Sequence, residues 1–167
     1  MHIACHVRGP VLHVIFPDSN GETWSQRQRQ FLKDQLRPDL FYSNPERCQD
    51  VMRASARYEG ENQFVGFNFP SSILRPEDQT LYPFKNRIQY VIGYMKGDHD
   101  TKNHEKRHAK YHVSPSYRRS VRRSWNKLKR SNPKRHQTII SDLVEKGYQE
   151  KVFVDEFQAY HPDLIEK

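Results

Sequence analysis

Apolar positions in the first half of the chain fall into short groups separated by turn residues. Residues 3–7 and 11–16 are two apolar runs with Gly9-Pro10 between them, and read as two strands or a hairpin. Residues 23–36 predict a helix that buries Trp24, Phe31, Leu32 and Leu36. Arg37-Pro38 ends it, because the residue before a proline is pushed out of the helical region. Residues 45–58 predict a second helix, with Asn44 as cap and Cys48, Val51, Met52 and Ser55 at helical spacing. Residues 64–69 alternate as a strand, 70–83 read as a loop, and 87–95, with Tyr90, Val91, Ile92 and Tyr94, give the strongest strand signal.

The second half reads as helical. Gly97-Asp98-His99-Asp100 turns the chain into a helix through residues 103–112, with Asp100 or Thr101 as its N-cap. Ser114 caps the next helix and Pro115 takes its first position. Tyr117, Val121, Trp125 and Leu128 then follow at i, i+4, i+8 and i+11 as one apolar stripe. After Asn132-Pro133, residues 137–146 predict a helix burying Ile139, Ile140, Leu143 and Val144, with Gly147 just past its end. Residues 152–160 form a last, acidic element. The expected class is α+β, a small mixed or antiparallel sheet packed against helices.

Composition narrows this. A length of 167 residues is most simply one domain, 1–167, and aromatics at 12 % offset a hydrophobic content of only 35 %, since each aromatic buries a large area. No apolar run is long enough for a membrane span, and the N-terminus lacks the layout of a signal peptide. An intracellular protein, cytoplasmic or nuclear, is expected, with Cys5 and Cys48 as reduced thiols. The net charge of +8 is concentrated: residues 118–135 carry nine Lys/Arg and no acid, enough to account for the whole excess. Arg118, Arg119, Arg122 and Arg123 lie off the apolar stripe and are candidate anion-binding residues, or simply a solvated face.

The chemistry sits in His104-Glu105-Lys106-Arg107-His108 and, later, Asp155-Glu156-Phe157-Gln158-Ala159-Tyr160. On a helix, i and i+4 share a face about 6 Å apart along the axis, so His104 and His108 could bind one Zn²⁺. Glu105, on the same turn, could polarise a metal-bound water, and Glu156 is the best third ligand. His112 continues the histidine stripe but lies about 12 Å from His104 along a straight helix. No glycine would let the helix break to bring it closer, so His112 is read as a surface or supporting residue. Asp155, Asn103, Tyr148 and Tyr160 are candidates to orient the imidazoles, and Tyr148, Tyr160 and His161 to stabilise an oxyanion. The competing reading of residues 103–112 is a charged surface helix with incidental histidines.

Strand, HExxH helix, further helices and an acidic helix together resemble the zincin-like metallopeptidases of the gluzincin branch. Glu156-Phe157-Gln158-Ala159 matches the ExxA pattern of several such families, and His108-Ala109 matches the small residue after the second histidine. The resemblance covers about residues 87–160. It implies His104, His108 and Glu156 as ligands of one Zn²⁺ per chain and Glu105 as general base. It further implies a peptide or protein substrate attacked by a metal-activated water, and the basic face would favour an acidic one. Lys106 and Arg107 depart from the apolar filler usual in that motif and predict one solvated helix face. In zincins the strand before the metal helix often pairs with substrate; residues 87–95 could do this or lie inside the core. Two other functions fit the residues: a nucleic-acid-binding module using residues 118–135 with Tyr117 and Trp125 interleaved, or a catalytically silent zincin-like scaffold.

Overall fold

In the computed structural model, which describes residues 3–17, 66–74 and 81–166, the first two apolar runs form a hairpin. Strands β1 (Ala4–Arg8) and β2 (Val11–Phe16) pair antiparallel with Arg8 opposite Val11, so Gly9-Pro10 is the whole turn. Two further strands, β3 (Gly66–Pro70) and β4 (Tyr90–Met95), complete a mixed sheet in the order β1-β2-β4-β3. β4 runs parallel to β2 and antiparallel to β3. It is therefore bonded along both edges, so of the two expected roles, pairing with substrate or lying inside the core, the strand takes the second. The strand starts at Tyr90 rather than residue 87, because the stretch before it, Tyr82–Arg87, is wound into 3₁₀ turns with Pro83 near their start. Ser71–Ile73 adds another such turn within the expected loop.

The register divides the sheet into two unlike faces. Leu12, Val14, Phe16, Phe67, Phe69 and Val91 share one face and pack with Ile73, Leu74, Leu81 and Ile88 into an apolar core. Gly93 lies on this face, opposite Phe67. The other face is mixed, carrying Asn68, His13, Tyr90 and Tyr94 beside Val11, Ile15 and Ile92. His13 and Tyr94 are both buried and satisfy one another, Nδ1 lying 3.0 Å from the phenol oxygen.

Four α-helices follow among the described residues. Helix α1 spans His99–Val113, and Asp98, not Asp100 or Thr101, caps it by accepting from the Thr101 N–H at 2.9 Å. Helix α2 (Pro115–Ser131) starts at the expected cap, Ser114, which accepts from the Tyr117 N–H. Helix α3 spans Pro133–Glu145, beginning ahead of the expected residue 137 because Asn132 caps it and Pro133 fits its first turn. A Schellman closure ends it: Tyr148 N–H donates to Leu143 O and Gly147 N–H to Val144 O. Helix α4 is Phe153–Tyr160.

Val121, Ile139, Leu143, Phe153 and Phe157 form a second core, flanked by Tyr117, Trp125, Leu128 and Ile140. Val144 was expected inside it and is instead 57 % exposed. The buried stripe of α3 is His136, Ile139 and Leu143, with half-buried Ile140 beside it, and Val144 falls at its edge. The chain separates into two compact units, Met1–Glu105 and Lys106–Lys167, the division falling inside α1. Residues 23–36 and 45–58, with Cys48, lie outside the described residues. No helix among the described residues is long and apolar enough to cross a membrane.

His136 gives the second core a pH dependence. It is buried with its ring 4.3 Å from that of Trp125, and burial, then the charge of Lys129, hold its imidazole below the ordinary value. Burial lowers His161 in the same direction. In the unfolded chain such a group takes its proton near pH 6.5, whereas the folded chain resists, so the unfolded state binds more protons just below that pH. Stability is thus complete above about pH 6.5 and is lost as pH falls toward the lowered folded value. The thermal midpoint of metal-free protein should drop between about pH 7 and pH 5, and His136→Phe should flatten that drop. An equally steep decline in the variant would remove His136 as its source.

Candidate metal centre

Helix α1 has one wet side and one dry side. Asn103, Lys106 and Lys110 are exposed along a single stripe, while Glu105, His108 and Ala109 are buried on the other. The lysine and arginine inside the HExxH run are therefore compatible with burial of its functional face. Lys106 points to solvent. Arg107 donates to the carbonyl of Ala159 at 2.9 Å, placing a cation against the carbonyl-rich end of α4. Ala109 is 2 % exposed, so a larger residue after the second histidine would have no room.

His104, His108 and Glu156 come together: one ligand atom from each lies within 4.8 Å of the others, in a group that could hold a metal ion. His108 and Glu156 are buried and His104 half-buried. The two ring nitrogens of His108 face different carboxylates. Nδ1 lies 3.0 Å from Asp155 Oδ1, approached off the ideal hydrogen-bond line, and Nε2 lies 3.7 Å from Glu156 Oε2. Metal bonds of about 2.1 Å in a tetrahedral arrangement keep neighbouring ligand atoms about 3.4 Å apart. The Nε2–Oε2 separation is close to that figure, and two imidazoles with one carboxylate are a donor set suited to zinc. A carboxylate facing the far nitrogen of a ligand histidine is the usual means of orienting it.

Glu105 is held separately. Only 6 % of it is exposed, and its Oε2 accepts from the Asn68 amide at 2.7 Å. The Asn68 carbonyl in turn accepts from the Tyr90 hydroxyl at 2.5 Å, which fixes which end of the amide meets the carboxylate. Gly66 makes this approach possible, since a Cβ there would stand 2.7 Å from Glu105 Oε1 and 2.5 Å from Thr101 Cγ2. Sequence reading missed Asn68 and Tyr90. The signal was available for Asn68, a polar residue set between Phe67 and Phe69 in a strand. Gln158, buried within the ExxA segment, was likewise not singled out.

The remaining candidates have contacts of their own. His112 is not in the metal group; its carbonyl accepts from Arg118 at 2.8 Å. Tyr148 and Tyr160 pair with each other, hydroxyls 3.1 Å apart, and Lys146 lies over the Tyr160 ring. The ring of His161 lies beside that of Phe157, and the charges acting on it come from Asp163, Arg135, Asp142 and Lys146, none of them in the metal group. Asn103 is exposed. Arg118 Nη1 also bonds the Tyr111 carbonyl and so closes the end of α1. Arg119, Arg122 and Arg123 remain exposed. Lys127 on the same helix is paired with Glu166 at 2.6 Å. No protein-family model, curated protein or solved structure matches the chain.

Proposed function

We propose that the chain is a zincin-like, zinc-dependent hydrolase of peptide bonds, with His104, His108 and Glu156 as the metal-holding residues and Glu105 as general base. The observation that carries this reading is the 3.7 Å separation between His108 Nε2 and Glu156 Oε2. A protonated imidazole donating to that carboxylate would close to about 2.7–2.9 Å. The observed gap is too long for such a bond and fits two donors turned toward one cation. Asp155 behind Nδ1 supports the same orientation.

A bound zinc ion supplies Lewis acidity to a carbonyl and to water. The residues of the chain do the rest. Glu105 accepts the proton of the attacking water and delivers it to the leaving amine. Asn68, itself held by Tyr90, keeps that carboxylate in one orientation. The exposed Arg119, Arg122 and Arg123 favour an acidic substrate over a basic one. The nucleic-acid reading loses ground, because Tyr117 and Trp125 pack against the second core rather than standing out as stacking platforms. Elemental analysis of the purified, untagged protein beside His108→Ala tests the proposal. About one zinc per chain, lost in the variant, is the expected result. Absence of zinc after reconstitution would return α1 to a charged helix with incidental histidines.

A further inference from the structure

Behind His108 the donors and acceptors form an ordered chain. A carboxylate can only accept, so the Gln158 amide turns its NH₂ to Asp155 Oδ1, at 2.9 Å. This leaves the Gln158 carbonyl facing Tyr117, whose hydroxyl donates to it at 3.1 Å. Gln158 is fully buried, and both ends of its amide are thereby satisfied. A phenol is protonated at neutral pH, and burial raises that of Tyr117 further above its ordinary value, so the hydroxyl is a donor. At the other end, Asp155 Oδ1 lies 3.0 Å from His108 Nδ1, off the hydrogen-bond line, and the negative charge so close to that nitrogen favours the proton there. A neutral imidazole protonated there presents its lone pair at Nε2, the nitrogen turned toward Glu156.

We propose that Tyr117 and Gln158 are positioning residues of the metal centre, acting through Asp155 to hold His108 in the tautomer whose Nε2 is available to a divalent cation. This rests on the metal reading of His104, His108 and Glu156. The carboxylate of Asp155, which can only accept, fixes the orientation of Gln158 and so of its bond with Tyr117. If Gln158 were reversed, its carbonyl would oppose the Asp155 carboxylate, and if it were lost, that carboxylate would be released from its fixed direction. Tyr117 sits on α2 and Gln158 on α4, so two helices set the orientation of a ligand carried by a third.

The test uses Zn²⁺ itself, titrated against a chromogenic chelator, together with ring-nitrogen shifts of His108 in metal-free protein. Gln158→Leu should weaken zinc binding about tenfold or more. Tyr117→Phe, which keeps the ring, should weaken it about threefold. Wild-type His108 should show its proton on Nδ1, and Gln158→Leu should show a mixture of both tautomers. Tyr117→Phe decides the matter should the leucine variant not fold. Zinc bound by the wild type, with affinity and ring shifts unmoved in the variants, overturns this inference alone, including where stability has changed. A wild type that binds no zinc overturns the metal centre as well.

Discussion

Glu105→Gln is expected to retain about one zinc per chain while losing at least about a hundredfold in peptide hydrolysis, because a positioned general base contributes roughly 10²–10⁴. The substitution is nearly isosteric. Its amide oxygen can still accept from Asn68, so the polar contact that seats the side chain survives. Gly66 leaves the same space for either group. What disappears is the capacity to take up a proton. The loss should therefore fall on kcat, with KM little changed. Metal content and turnover of a mixed fluorogenic peptide library, measured on the same preparations, decide it. Wild-type turnover by the glutamine variant would remove Glu105 from the chemistry even with zinc in place. Loss of zinc instead would make Glu105 part of the metal-holding set.

The second large effect is expected in the sheet. Gly93→Ala would place a Cβ 2.2 Å from Cζ of Phe67 and within 2.6 Å of two further ring atoms. The ring has nowhere to go. Phe16 meets it edge-on at 5.9 Å and Phe69 stacks on it at 5.8 Å, all within the first core. The backbone of β4 is tied on both sides, to β2 and to β3, so it cannot retreat either. Overpacking of a tight core costs about 1–3 kcal/mol and occasionally more; with both partners hemmed in, about 3 kcal/mol is expected here. Chemical denaturation should show the midpoint move with little change in slope. Phe67→Leu in the same chain should restore part of the loss, giving a coupling energy between the two sites. A Gly93→Ala protein as stable as the wild type would mean that the ring does not cover this glycine in solution.

Both effects depend on features with unequal visibility in the sequence. The HExxH spacing and the later acidic segment singled out His104, Glu105, His108 and Glu156 directly, because i and i+4 on a helix are neighbours whatever surrounds them. The hairpin turn at Gly9-Pro10 and the cap at Ser114 were legible for the same reason, each being satisfied by atoms a few residues away, while the stripe from Tyr117 to Leu128 was legible from its period although its packing partners lie on other helices. Local signals misplaced the α1 cap, putting it at Asp100 or Thr101, whereas the backbone path brings Asp98, read as a turn residue, to the Thr101 N–H. They also misplaced Val144, because a stripe read from periodicity does not say where its edge meets a neighbour. Lys106 and Arg107 looked equally foreign to a buried helix. One faces water and the other bonds a carbonyl 52 residues away, a distinction that needs a partner element.

By itself the sequence determined the period of the main strands and α-helices, the turn between the first two strands, and the residues able to act as metal donors and base. Spacing and short-range sterics govern all of these. Tertiary structure alone decided that β4 lies inside the sheet, that Asn68 and Tyr90 hold Glu105, and that Tyr117 and Gln158 stand behind Asp155. Those contacts join residues 22 to 41 positions apart, or bridge neighbours on a short helix whose other face is buried. Such contacts follow from which buried polar groups must find one another once water is excluded, and periodicity along a single chain does not record that choice.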